Sequence, residues 1–142
     1  MANNIEQIIV DGITYNLVAK GFPDLPIKGT ATLSPSGGSI TSQDIKYALT
    51  EDRTMGMIWG EALVKALGST TLITCSTGIV VAPQDSVKTI KGYINVLIGT
   101  NTNYTLPYFE IDTNGNVNIK YALISNNTSF LIPPVLIRFS DF

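Results

Sequence analysis

The sequence predicts a mainly β protein: an N-terminal β-hairpin, a short central helical segment and a C-terminal antiparallel β-sandwich or jelly-roll-like domain. The chain is rich in Ile, Val, Ser, Thr and Asn, a mixture that favours strands joined by hydrogen-bonded turns. Apolar residues at helical spacing are confined to the middle of the chain. We therefore expect a docking hairpin over residues 1–20, a linker and helical segment over 21–69, and a β domain over 70–142.

The N-terminal hairpin is predicted from the turn signal Asp11-Gly12, which separates two apolar segments. A two-residue turn there places Val10 opposite Ile13 and Ile8 opposite Tyr15. One face of the hairpin therefore collects the apolar residues Ile8, Val10, Ile13, Tyr15 and Leu17. Because a two-stranded hairpin is marginal in water, we expect this face to dock on the rest of the chain or on a partner.

The segment after the hairpin is predicted to be a linker and a first short helix. Residues 19–39 contain several Pro and Gly residues, which indicates an extended arm, with a short strand over 28–33. Ser42 to Asp44 can cap a short helix that ends at Leu49.

A second central helix is predicted up to Leu67, where apolar residues recur at helical spacing and Gly68 provides a stop. Gly56 and Gly60 weaken such a helix by about 1 kcal/mol each relative to Ala. Their presence indicates that another element packs closely there, or that residues 55–59 are not helical.

From residue 70 onward, short apolar segments alternate with turn signals, as in all-β folds. The predicted strands are 71–75, 78–82, 87–98, 106–112, 117–124 and 129–139.

The hairpin around Gly115 can form in more than one register. A three-residue loop over 114–116 separates apolar from polar faces, whereas a two-residue turn mixes them. The three-residue loop needs one residue in the left-handed region, which Gly or Asn tolerates. It pairs Ile111 with Ile119, Phe109 with Tyr121, and Glu110 with Lys120.

The composition predicts a protein that associates with other molecules. Charged residues make up 14% of the chain and hydrophobic residues 44%, against roughly 25% charged residues in a typical soluble domain. Apolar surface that charge does not screen tends to be buried, so we expect an oligomer or a docked subunit. Cys75 is the only cysteine, so an intrachain disulfide is impossible, and its strand context favours a buried thiol over a nucleophile.

The sequence contains few residues in patterns that could support catalysis. The chain has no histidine, the commonest general base and metal ligand. Glu110 and Asp112 share a strand face, where solvated surface is a simpler explanation than two-carboxylate hydrolysis. Residues 112–116 resemble the start of a calcium loop, but Val117 and Leu123 stand where Gly and Glu are needed. We predict no catalytic residue, no metal and no cofactor.

Charge and hydropathy also limit the expected location. The net charge is −2 with acids and bases scattered, so we expect no nucleic-acid partner. The first residues lack the features of a signal peptide, and no apolar run approaches the roughly 20 residues that cross a bilayer. We expect a protein without membrane insertion that is made in a cytoplasm and stays there or leaves inside a larger particle.

Two sets of residues are candidates for binding. The amides and the aromatic ring of two polar loops could bind carbohydrate, although they are also ordinary loop residues; they are Asn101, Asn103, Tyr104, Asn126 and Asn127. Trp59 could stack on a sugar, but its apolar surroundings favour core or interface. We group it with the hairpin residues Ile8, Val10, Ile13 and Tyr15 as a docking or oligomer interface.

The chain resembles bacteriophage structural proteins. The segment Ile-Ile-Val-Asp-Gly-Ile-Thr-Tyr over 8–15 resembles the opening of many small phage structural proteins. The hairpin over 109–119 and the strand expected over 135–142 resemble the tip and head domains of tail fibres and baseplate receptor-binding proteins. Head fibres and capsid decoration proteins are similar too. The resemblance implies a homotrimer anchored at one end and exposed at the other; the central segment and the lack of a coiled-coil shaft depart from it.

Three functions follow as hypotheses. The first is a virion protein that contacts itself and other virion proteins, with a host cell-surface glycan as a further partner. The second is a free carbohydrate-binding module of a bacterium. The third is an enzyme with an unrecognised carboxylate site at Glu110 or Asp112.

Overall fold

The computed structural model describes residues 7–10, 12–16, 23–65, 72–98, 104–123 and 128–140. Every regular element in these ranges is a β-strand. The strands are β1 Gln7–Val10, β2 Ile13–Asn16, β3 Ile27–Ala31, β4 Ser34–Pro35, β5 Ser39–Leu49, β6 Met55–Lys65, β7 Ile73–Val80, β8 Lys88–Ile90, β9 Asn95–Ile98, β10 Tyr104–Ile111, β11 Asn116–Leu123, β12 Thr128–Ile132 and β13 Leu136–Arg138.

The strands form two larger antiparallel sheets and a separate hairpin of β1 and β2. The five-stranded sheet has the order β4-β7-β11-β10-β8. The six-stranded sheet has the order β3-β5-β6-β12-β9, and β13 pairs with the part of β6 that β12 leaves uncovered. The prediction of a mainly β, antiparallel architecture is confirmed.

One hydrophobic core contains residues of both large sheets. In β7, Ile73, Cys75, Thr77 and Ile79 are buried while the residues that alternate with them are more exposed, which is the pattern of a strand with one face inside. The rings of Tyr121 from β11 and Phe130 from β12 meet edge to face, with centroids 4.9 Å apart and an interplanar angle of 77°. Because burial of one such side chain contributes about 1.5–3 kcal/mol, these contacts across the core hold the sheets together.

The predicted central helices are wrong, because β5 and β6 form a long antiparallel pair in that segment. Side chains of β6 that lie on the core side and are buried are Ile58, Ala62 and Val64. Half-buried side chains on the other side of the same strand are Met57, Trp59 and Leu63. Since apolar residues occupy both faces of β6, the two-residue period of a half-exposed strand is lost and the segment imitates helical spacing.

Gly56 and Gly60 lie where β5 passes very close to β6, which confirms the expectation of close packing. A Cβ added to Gly56 would meet the carbonyl oxygen of Ala48. A Cβ added to Gly60 would meet the carbonyl oxygen of Asp44, and Gly60 also has a φ of +131°. Both positions therefore require glycine. At Gly56 a side chain would collide with the backbone of β5, and at Gly60 it would collide and also be disfavoured by the positive φ.

The turn between β5 and β6 is closed by the carboxylate of Asp52. Its Oδ1 accepts hydrogen bonds from the Thr50 hydroxyl at 2.7 Å and from the Thr54 N–H and hydroxyl at 3.1 and 2.8 Å. The next residue, Arg53, has a positive φ of 61°, and its guanidinium donates to the carbonyl of Val80 at 2.9 Å. The turn is thereby tied to the end of β7 in the other sheet.

The N-terminal hairpin has the predicted register, with Val10 opposite Ile13 and Ile8 opposite Tyr15. The strands β1 and β2 are shorter than expected within the described ranges, and Leu17 lies outside them. A local turn signal was sufficient here because the Asp-Gly pair fixes both the loop length and the pairing.

The hairpin of β10 and β11 has a three-residue loop, but over 113–115, so the predicted partners are wrong. Ile111 pairs with Val117 and Phe109 with Ile119. The Asp112 carboxylate accepts the N–H groups of Asn114 and Asn116, both at 2.9 Å, and this closes the loop one residue earlier than expected. Each of the three predicted pairs is displaced by two residues, so the side chains stay on the predicted faces of the hairpin. Gly115 takes the left-handed conformation with a φ of +87°.

Other predicted strands are merged, divided or extended. The segments 71–75 and 78–82 form one strand, β7, whereas 87–98 divides into β8 and β9, which belong to different sheets. The segment 129–139 divides into β12 and β13 on either side of Pro133-Pro134. The predicted linker over 19–39 contains β3 and β4, and residues 21–69 supply strands to both large sheets.

Substitution of Gly60 by Ala distinguishes the strand from the predicted helix. In a helix the change would stabilise the protein by about 1 kcal/mol. In β6 we expect a loss of more than about 2 kcal/mol, because the new methyl group meets a backbone oxygen at a positive φ. The measurement is the free energy of unfolding in urea.

Gly78→Ala is the matched control for Gly60→Ala. Gly78 in β7 also has a positive φ of 74°, but a Cβ there would meet no atom within 4 Å. Its substitution should therefore show the backbone strain alone, about 1–2 kcal/mol. A Gly60→Ala protein as stable as the wild type, or more stable, would contradict the register of β5 and β6.

Candidate functional site

The outer surface of the six-stranded sheet carries an apolar patch, which we call the Trp59 face. It consists of half-buried side chains on β6, β12 and β13, namely Met57, Trp59, Leu63, Leu131 and Leu136. Cross-strand partners share a face, and Leu136 pairs with Met57 while Leu131 pairs with Glu61. These five side chains therefore lie together on the side of the sheet away from the core.

Charged side chains lie beside and within the Trp59 face. Lys46 of β5 pairs directly with Trp59, and the exposed residues Asp44 and Glu61 pair with each other. Two carboxylates directly opposite each other across an antiparallel pair repel. Because Glu61 lies on β6 between Trp59 and Leu63, its carboxylate interrupts the apolar patch.

The outer surface of the five-stranded sheet has a polar part, which we call the Tyr108 platform. Cross-strand pairing places Tyr108 beside Lys120, and Lys120 beside Thr74. A second row, two residues further along the strands, consists of Ser76, Asn118, Glu110 and Thr89. Strands of the same sheet also carry the exposed apolar side chains Val80 and Leu106.

Lys120 connects the two rows of the Tyr108 platform. Its ammonium donates a hydrogen bond to the Thr74 hydroxyl at 2.6 Å and lies 4.0 Å from Oε1 of Glu110. Both charged side chains are partly exposed, so this ion pair contributes at most about 1 kcal/mol to stability. The Lys91 ammonium lies 5.6 Å from the centroid of the Tyr108 ring. The platform thus combines cations, one carboxylate, hydroxyls, an amide and an aromatic ring.

The sequence-predicted binding loops are only partly described. Tyr104 begins β10, in the five-stranded sheet. Asn101, Asn103, Asn126 and Asn127 lie outside the described residues. Their proposed role in carbohydrate binding stays a prediction.

The predicted docking residues fall on two different elements. Ile8 and Val10 lie on β1, and Ile13 and Tyr15 on β2, where they form cross-strand pairs. Trp59 is half-buried on the outer face of β6 and not on a helix. Their assignment to a docking or oligomer interface stays a prediction.

The buried polar groups of the core offer no reactive site. Burial raises the pKa of the Cys75 thiol to about 11, and the residue is only 1% exposed. Burial also raises the pKa of Tyr121, whose hydroxyl has no hydrogen-bond partner. A thiol that stays protonated and shielded is a poor nucleophile, as the sequence predicted for Cys75.

The acidic loops hold their carboxylates with protein donors. The Asp112 carboxylate accepts from two N–H groups and, through Oδ2, from the Asn116 amide at 2.9 Å. These hydrogen bonds hold the pKa of Asp112 below its ordinary value. Among the described residues, no three His, Cys, Asp or Glu side chains come together as a set of metal ligands.

Several hollows on the described surface are large enough for small molecules. One of about 500 Å³ lies at the turn between β5 and β6 and is lined by residues 50–52, 54 and 55. Another, of about 460 Å³, is lined by residues 83–89 and by Ser140. A third, of about 310 Å³, lies beside the Tyr108 platform and is lined by Lys91, Gly92, Ile94, Leu106, Pro107 and Tyr108. Ligand sites in proteins begin at about 300 Å³.

Comparison with protein-family models, with curated proteins and with solved structures finds no match for the chain. In the ranges that the structure describes, no helix has the length and apolar character that crossing a bilayer requires.

The Tyr108 platform cannot be derived from the sequence alone because two of its four strands, β7 and β8, lie outside the hairpin of β10 and β11. The alternation of polar residues in 108–120 indicates only the part of the face that this hairpin provides. Lys91 and Thr74 reach the platform only through sheet topology. Position on a face of a sheet cannot be derived until the neighbouring strands are known.

Replacing Asp112 by Asn should lower stability at neutral pH but not at low pH. The folded state lowers the pKa of Asp112 below 3.8, so its ionised form stabilises the fold above that pH, and this contribution is lost as the pH falls through the folded-state pKa. Urea midpoints of the wild type and Asp112→Asn should therefore differ at neutral pH and converge well below pH 3.8.

Asp24→Asn is the control, since Asp24 is exposed and no described group donates a hydrogen bond to it. Its midpoint should follow the wild type throughout the titration. A difference between the wild type and Asp112→Asn that persists unchanged at low pH would contradict the hydrogen-bonded carboxylate.

Proposed function

We propose that the chain is a non-enzymatic structural component of a bacteriophage particle that assembles as a homotrimer. Its N-terminal region anchors it, and its β domain is exposed for attachment to the host surface or for decoration of the capsid or tail. The resemblance of segments 8–15 and 109–119 to phage structural proteins supports this proposal. So do the low charge content and the absence of histidine, which disfavour acid–base catalysis.

The observation that carries the proposal is the Trp59 face. Half-buried apolar side chains from three strands lie together on the outer surface of the six-stranded sheet. A neighbouring copy that covers Trp59 would remove the part of this surface that is still accessible from water. A basic group of that copy near Asp44 and Glu61 would also relieve the repulsion between their carboxylates.

Anchoring is assigned to the hairpin of β1 and β2. Its paired residues Ile8 with Tyr15 and Val10 with Ile13 are apolar, and a hairpin of this size needs a surface to pack on. Other virion proteins are the proposed partner of this element, while copies of the chain are the proposed partner of the Trp59 face.

The alternative is a free carbohydrate-binding module of a bacterium. The Tyr108 platform favours it, since hydroxyl, amide and charged groups around an aromatic ring on a flat sheet suit the recognition of sugars. A module of this kind would act as a monomer, whereas the virion component would not.

Light scattering of the purified protein tests the assembly. We expect a trimer at micromolar concentration for the wild type and a dissociation constant raised about 30-fold or more for Trp59→Thr, since a central aromatic residue contributes about 2 kcal/mol to an interface. The matched control is Tyr108→Thr, the loss of an aromatic ring on the other sheet, which should remain a trimer. Cooperative unfolding of both variants verifies that they fold.

Antibody detection of the chain in gradient-purified virions of the encoding phage is the second readout of the same proposal. We expect wild-type protein in the virion fraction, and a protein with the substitution Ile8→Asp should stay with the unassembled material. A monomeric wild type, or a chain absent from purified virions, would overturn the proposal and leave the free binding module.

A further inference from the structure

We infer that the hollow beside Tyr108 is a binding site for an acidic sugar, with Lys91 as the partner of the sugar's carboxylate. The inference deepens the proposed attachment function and its biological role rests on it. It concerns a site different from the loops that the sequence predicted, and the binding itself can be measured without the virion.

The shape of the hollow suits one sugar unit. Its volume is about 310 Å³, at the small end of ligand sites. The wall is mainly apolar and includes Ile94 and Pro107, with Leu106 65% exposed at the surface. Apolar walls beside an aromatic ring accommodate the C–H face of a pyranose.

The charge of the hollow favours an anion. The Lys91 side chain is exposed, and its ammonium lies over the Tyr108 ring at 5.6 Å. A cation–π contact at an exposed site is weak, so the ammonium can exchange it for a charge-assisted hydrogen bond to a ligand carboxylate. The carboxylate nearest on the same strand face, Glu110, is compensated by Lys120 at 4.0 Å.

The platform next to the hollow supplies hydrogen bonds for hydroxyl groups. Lys120 pairs directly with Tyr108 across the sheet, and the Thr74 hydroxyl lies one strand further at 2.6 Å from the Lys120 ammonium. Tyr108 belongs both to this row and to the wall of the apolar hollow, and Lys91 is the cation among the residues that line the hollow. A ring with several hydroxyls and one carboxylate matches all three features, whereas a fatty acid would leave the polar row without partners.

The test is NMR titration of the full chain with methyl glucuronide, methyl glucoside and acetate. We expect saturable shifts with millimolar affinity or tighter for the glucuronide, at residues 91–94 and 106–108. The glucoside has the same ring without the carboxylate and should bind about tenfold more weakly. Acetate should not compete at concentrations where the glucuronide saturates.

Two variants separate the contributions. Lys91→Gln should bind the glucuronide and the glucoside with equal, weak affinity, because only the carboxylate contact is lost. Tyr108→Thr should lose both ligands. Lys28→Gln, a change of an exposed lysine on the six-stranded sheet, is the control and should bind as the wild type does.

Specific results overturn the inference. They are the absence of saturable shifts with every ligand, equal affinity for glucuronide and glucoside in the wild type, or competition by acetate, which would indicate a simple anion site. Failure of sugar binding in an intact trimer overturns this inference alone. Sugar binding by a wild type that is monomeric overturns the assembly proposal alone.

Discussion

The structure depends on one strand, β6, that is apolar on both faces. Its inward side chains join the core shared by the two sheets, and its outward side chains form the centre of the Trp59 face. Two glycines in the same strand allow β5 to approach so closely that larger residues would collide with its carbonyl groups. Because this strand carries apolar side chains on both faces, it contributes to the core and also to the partly accessible outer surface of its sheet.

Turn residues and the alternation of apolar and polar residues predicted the parts of the fold that neighbouring residues in the sequence determine. The Asp-Gly turn gave the correct register of β1 and β2, and the faces of β10 and β11 followed from alternation although their partners shifted by two residues. The shift arose from hydrogen bonds to the Asp112 carboxylate, which the pattern of apolar residues does not contain. The central segment was mistaken for helix because apolar residues on both sides of a strand have no two-residue period.

The two candidate sites differ in how much of each could be predicted from the sequence. The apolar neighbours of Trp59 predict a position in the core or at an interface, and the structure places it half-buried on an outer sheet face. The Tyr108 platform needed the order β7-β11-β10-β8, which joins residues separated by tens of positions. The Trp59 face gathers apolar side chains around the carboxylate of Glu61, whereas the Tyr108 platform is a row of hydrogen-bonding groups beside an apolar hollow.

Fluorescence of Trp59 is the most direct test of a buried outer face, because the chain contains a single tryptophan. Emission and quenching by acrylamide would be followed while the protein is diluted from micromolar to nanomolar concentration. If neighbouring copies cover Trp59, the emission shifts to longer wavelength and quenching increases as the assembly dissociates. Emission and quenching that stay the same at every concentration, at the values of a partly solvated indole, would contradict the account.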